Sequence, residues 1–182
     1  MVMETERLSA RDWVRAGIAA LAKSGFAALK AETLAKTLKV SRGSFYWHFA
    51  DVEAFHAAIL ERWRQIAYEN IVAELDGTAE QRMRTLLNRA FRVDSPLERA
   101  VRAWATAHPK AKAMVESVDA RRVGYIQSLL VEAGLDPVRA ALRTRILYWT
   151  YLGNVLSGDR LPSTAWNDIL EELLSLVKSK TP

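Results

Sequence analysis

At 182 residues, half of them hydrophobic, with no cysteine and a formal net charge of +5, the chain has the apolar mass for a sizeable core but no disulfide framework, thiolate nucleophile or cysteine metal site. Sparse glycine and proline beside abundant alanine, leucine, arginine and glutamate favour an all-α fold over sheet. No apolar run approaches the length of a membrane span and no leader-like segment opens the chain, so a soluble, cytoplasmic protein is expected.

The charge is unevenly placed. Residues 1–50 hold eight basic side chains against four acidic ones, which is +4 of the total +5. A basic head on a nearly neutral body is the electrostatic footprint of a nucleic-acid contact, although solubility alone can also produce it.

In chain order, Ser9 and Asp12 form a capping-box pattern before a first helix with Trp13, Val14, Gly17, Ile18 and Leu21 at helical spacing, and Ser24-Gly25 stops it. A short second helix spans roughly Glu32 to Leu38. Lys39-Val40 then reads as a turn, and Ser41 as the N-cap of a third helix. The spacing of Leu34, Ala35, Leu38, Val40 and Phe45 is what a helix-turn-helix needs, with a small residue where the helices cross and apolar plugs in the angle between them. Asp51 caps a long helix carrying Phe55, Ile59, Trp63, Ile66 and Leu75, which should reach about Glu74 and is long enough to bridge a domain junction. Thr78 with Gln81, and Ser95 with Pro96 and Glu98, open helices of about 80–92 and 96–107. His108-Pro109 starts another, with a possible break near Ser117, running to Gly134. Asp136-Pro137 begins the next, and after the Ser157-Gly158-Asp159 turn and Pro162 a last helix starts near Ser163. About nine helices are expected, with no strand and no internal repeat.

The run Lys39-Val40-Ser41-Arg42-Gly43-Ser44-Phe45-Tyr46-Trp47-His48-Phe49, preceded by Leu34-Ala35 and followed by a long amphipathic helix, resembles the helix-turn-helix of tetracycline-repressor-like (TetR) transcriptional regulators. The likeness is specific around Phe45 to Phe49 and extends over about residues 8–60. A looser one covers Arg99 to Trp104, Asp119 to Gly134 and Tyr148 to Gly153.

In a helix-turn-helix the recognition helix enters the major groove N-terminus first, so Ser41, Arg42, Gly43 and Ser44 should lie nearest the base edges, with Arg42 suited to guanine O6 and N7. The resemblance implies phosphate contacts from Tyr46 and His48. Lys30 and Thr33 should face the flanking backbone. Phe45 and Phe49 read as core. Trp47 reads either as packing between head and long helix or as a DNA-facing aromatic. Two positions depart from the family's pattern: Lys39 stands where a turn glycine is usual, and Val52 where a phosphate-contacting lysine is usual.

No Gly-x-Ser-x-Gly, phosphate-cradling glycine loop or zinc spacing is present, so no enzyme, cofactor or metal is expected. Glu53 and His56 have a di-iron-like spacing without the second such pair that those sites require. Toward the C-terminus, Trp104, His108, Tyr125, Trp149 and Tyr151 are either ordinary core or the walls of an effector pocket. Leu142, Ile146, Gly153 and Leu156, with Ile169, Leu173 and Val177, make two amphipathic helices suited to a dimer interface, unless both bury into their own monomer.

The resulting expectation is a homodimeric, ligand-responsive regulator, with residues 1–50 as the DNA-binding domain and 51–182 for effector binding and dimerisation. Its partners would be near-palindromic operator DNA and a small-molecule effector. The alternatives are a helical small-molecule carrier and an architectural DNA binder without an effector.

Overall fold

The structure, a computed structural model, describes residues 8–92, 95–157, 163–175 and 177. In order they form α1 (Ala10–Ser24), a 3₁₀ turn (Phe26–Ala28), α2 (Ala31–Leu38), α3 (Arg42–Tyr46), α4 (Val52–Arg64), a π-helical turn (Gln65–Glu69), α5 (Asn70–Ala73), α6 (Ala79–Arg92), α7 (Pro96–Ala105), α8 (Pro109–Glu132), α9 (Pro137–Ser157) and α10 (Ser163–Ser175). Because α4, the π turn and α5 follow one another without a break, nine helical segments stand among the described residues, and no strand.

Local chemistry accounts for most boundaries. Ser9 donates its backbone N–H (2.9 Å) and its hydroxyl (2.6 Å) to Asp12, which starts α1 and holds the Asp12 carboxyl below the usual carboxylate range. Gly25, at φ 74°, ends that helix. Asp51 accepts the Ala54 N–H at 2.7 Å, and Thr78 and Gln81 exchange bonds of 2.8 and 3.3 Å ahead of α6. Two expectations are corrected. Residues 109–132 form an unbroken helix through Ser117, and the long helix after Asp51 is interrupted by the π turn, an extra-residue wind that the spacing of apolar side chains does not register. Gly158, Asp159 and Pro162 lie outside the described residues.

The chain packs as two compact units, one of residues 1–66 and 96–115, the other of 67–95 and 116–182. In the first, α1 packs against α4 and α7, and α2 against α1 and α3. Phe45 is the hub of its aromatic core, with ring centroids 5.3 Å from Trp13, 5.2 Å from Phe49 and 5.3 Å from Phe55. Burying rings of this size is worth about 1.5–3 kcal/mol each, which compensates for a recognition helix of only five residues that could not persist alone.

Gly17 marks a tight helix crossing: a Cβ there would stand 2.5 Å from Ile59 Cδ1 and 2.7 Å from Phe55 Cζ, both in fully buried side chains. Alanine normally gains about 0.5–1 kcal/mol over glycine inside a helix. Here the overlap reverses the sign, and Gly17→Ala is expected to destabilise the protein by about 1–3 kcal/mol in urea unfolding. A stabilised variant would mean that α1 and α4 do not approach this closely.

The same unit buries an ion pair. Glu98 Oε1 accepts from Arg102 Nε at 2.9 Å and Nη2 at 2.8 Å, while Glu98 Oε2 accepts from Trp63 Nε1 at 3.3 Å. The second unit has its own core, in which Met83, Leu87, Phe91, Leu129, Leu130, Leu147 and Leu174 are buried, with Tyr125, Tyr151 and Trp166 packed against them.

Candidate nucleic-acid interface

The packing of Phe45 and Phe49 determines which residues of the opening motif are left outside. Both phenylalanines are buried, and their neighbours Tyr46 and Trp47 are exposed, Trp47 by 88 %. Among the described residues Trp47 therefore does not pack between the head and α4 but stands out into solvent. Ser41, Arg42 and Gly43 are exposed at the N-terminal end of α3, Ser44 and His48 are half-buried, and Lys30 and Thr33 are exposed at the start of α2. Nearly the whole predicted contact set is thus available to a partner.

Lys39 holds α2 and α3 apart in the left-handed region, at φ 57° and ψ 40°, and its N–H bonds back to Lys36 O. A side chain can occupy that region at a cost of about 1–2 kcal/mol, so the turn keeps the geometry usually given to glycine and gains a cation beside the recognition helix. Val52, at the first turn of α4, is half-buried and offers no donor there.

Two features of the face were not foreseen. Arg42 Nη2 donates to the Tyr46 hydroxyl at 3.2 Å with its guanidinium 5.7 Å from the ring centroid, and this bond raises the arginine's already high proton affinity. The spacing of four residues on one helix was the available signal. Glu32, paired with Lys36 at 2.9 Å and held below the ordinary carboxylate range by it, places one negative charge among the cations of α2.

Residues 14–59 match the family model of bacterial regulatory proteins, tetR family. The head belongs to the TetR family. Over those residues the chain carries the DNA-binding head of a regulatory rather than an enzymatic family, which supports a DNA-binding transcriptional regulator.

Solved structures share the TetR-like fold over nearly the whole length. A transcriptional regulator from Rhodococcus sp. Rha1 is 17% identical with a TM-score of 0.74, over 93% of this chain and 96% of that one. Reduced NemR from E. coli is 19% identical with a TM-score of 0.72, over 93% and 95%. A protein from Saccharomonospora viridis described as a transcriptional regulator, in complex with choline, is 17% identical with a TM-score of 0.73, over 91% and 95%. At these identities the likeness establishes the fold. No curated protein matches the sequence.

The remaining candidate residues fall in both units. Trp104 and His108 belong to the first, where Phe26 stacks on Trp104 at 4.9 Å and lies 4.2 Å from His108. His56 completes that cluster, 5.4 Å from Trp104, with its Nε2 donating to Leu29 O at 3.1 Å. Tyr125 and Tyr151 belong to the second unit, against its apolar core, whereas Trp149 is exposed.

Of the residues suggested for a dimer interface, Leu142 is 62 % and Leu156 58 % exposed, Ile146 is also exposed, and nothing stands within 4 Å of a Cβ placed on Gly153. Leu173 and Val177 are buried in their own unit's core and Ile169 packs against it. For Leu173 and Val177 this matches the reading of burial within the monomer, where α10 lies on α6, while Ile169 keeps part of its surface exposed. Among the described residues no helix is long and apolar enough to cross a membrane, and no cluster of three acidic or imidazole side chains could hold a metal ion.

Proposed function

We propose that the protein is a homodimeric, effector-responsive regulator, a repressor, that binds a near-palindromic operator through Ser41, Arg42, Gly43, Ser44, Tyr46, Trp47 and His48, with Lys30 and Thr33 on the flanking phosphates. Residues 1–50 are the DNA-reading domain and 51–182 the effector and dimerisation domain. The observation that carries this reading is the sorting of the motif: the aromatic side chains that brace α3 are buried, while Arg42, Ser41, Tyr46 and Trp47 are exposed on a head with net positive charge. Two heads related by a dyad would place recognition helices about 34–36 Å apart, one turn of DNA.

Arg42 is the base-reading residue and Tyr46 and His48 are positioning residues for the backbone. In a gel-shift with genomic fragments, Arg42→Ala is expected to weaken the best site about 10- to 100-fold and to relax its sequence preference, the usual range for a lost bidentate base contact. Tyr46→Ala is expected to weaken all sites alike. Absence of any shift by the native protein at low salt would falsify the reading.

For the effector, Tyr125 and Tyr151 on the helices of the second unit supply aromatic walls with polar tips. That a neighbour in fold holds choline supports a small-molecule site of this kind in the fold. A thermal-shift screen followed by titration of the operator complex tests it. A compound that raises the melting temperature and lowers operator affinity identifies the effector, and a thorough screen without one would favour an architectural DNA binder.

A further inference from the structure

The π turn at Gln65–Glu69 is the irregular segment of the rod that leaves the helix-turn-helix unit, and the division between the two units falls inside it, between Ile66 and Ala67. A π turn breaks the i→i−4 ladder and leaves backbone groups that need another partner. Here the partner comes from α8. Arg122 donates to Ala67 O from both Nε, at 3.2 Å, and Nη2, at 3.0 Å. The same guanidinium lies 5.4 Å from the Tyr151 ring centroid of α9. Tyr151 is 5.8 Å from Tyr148, whose hydroxyl donates to Asp119 Oδ1 at 2.5 Å, one helical turn before Arg122. Beside it Arg121 stands 5.9 Å from the Tyr68 ring centroid and 3.9 Å from Glu69 Oε1.

We infer that Arg122 is a positioning residue that latches the π turn. Its two N–H donors replace the backbone hydrogen bond that the extra residue removes, so the turn persists only while the guanidinium is held in place by Tyr151. The chemistry is specific. An ammonium can donate to Ala67 O but has no planar fork to approach it with two donors while lying over a ring. Any change in α8 or α9 that moves Tyr151 or Asp119 therefore acts on the wind of the π turn.

Hydrogen exchange followed by mass spectrometry on the full chain tests the latch. In Arg122→Ala, peptides covering 65–73 should exchange about 10-fold faster or more, the size of one lost hydrogen bond to a charged group, while peptides of α6 keep their protection. Arg122→Lys should restore part of the protection. Tyr151→Phe should behave as wild type and Tyr151→Leu as a weaker Arg122→Ala, which keeps the test open if Arg122→Ala does not fold. Unchanged exchange at 65–73, or a rise shared by every helix of the second unit, overturns the latch.

Discussion

Replacing Glu98 by alanine is expected to lower the unfolding free energy by about 3–5 kcal/mol, the usual cost of removing one member of a buried ion pair. The Glu98 and Arg102 side chains are only 6% and 12% exposed, so neither charge has water to fall back on. Without the carboxylate, the guanidinium loses its nearest counter-charge and the buried indole N–H of Trp63 loses its acceptor. Against a total of about 5–15 kcal/mol for a typical domain this is a large fraction, and for a chain of this size it corresponds to a fall in melting temperature of about 6–20 °C. Glu98→Gln keeps an acceptor for Trp63 but not the charge, and should fall between. Replacing both Glu98 and Arg102 by methionine should recover much of the loss, because two apolar side chains of similar length need no partner. Thermal and urea unfolding followed by circular dichroism measure all three. A loss under about 1 kcal/mol for Glu98→Ala would show that the pair is better hydrated than its burial implies.

Glu98 also illustrates how far the sequence could be read. Its position three residues after Ser95 suits a capping box, and periodicity alone assigns it nothing more. Arg102 is within reach of it by i,i+4 spacing on α7, but the bond from Trp63 of α4 joins residues 35 apart in the chain, which no local pattern registers. The elements that could be read were those specified by neighbours: the Ser9–Asp12 box, the Gly25 stop, the Lys39 turn, and the separation of Phe45 and Phe49 from the exposed face. Each depends on residues within one or two helical turns. The π turn depends on a carbonyl taken up by a side chain 55 residues away, and the exposure of Trp47 on how the head packs, neither of which leaves a periodic trace. In α10 an apolar stripe was equally compatible with an interface or a core, and only its contact with α6 distinguished them for Leu173 and Val177.

The same distinction leaves α9 with an uncovered stripe, and on the homodimer reading Leu142→Glu combined with Ile146→Glu should yield a monomer. Val138, Leu142, Ile146, Trp149 and Leu156 are all exposed large apolar side chains on one helix, recurring at intervals of three, four and seven residues, so that they share a face. Gly153 lies in that stripe with open space where a side chain would be, which allows close approach by a second helix. In a two-fold interface every residue occurs twice, so the double substitution sets four carboxylates into one apolar seam and makes like charges face each other.

Sedimentation velocity should show the variant at half the mass of the wild type, with its helical circular dichroism retained because the substituted positions are not part of the monomer's core. Loss of the dimer also removes the tether between two DNA-reading heads. A tether of this kind contributes about 10²–10⁴ in apparent affinity, so operator binding should weaken by that factor although Arg42 and Tyr46 are untouched. A variant that remains dimeric would place the interface elsewhere. A monomer that binds the operator as tightly as the native protein would mean that one head suffices to read it.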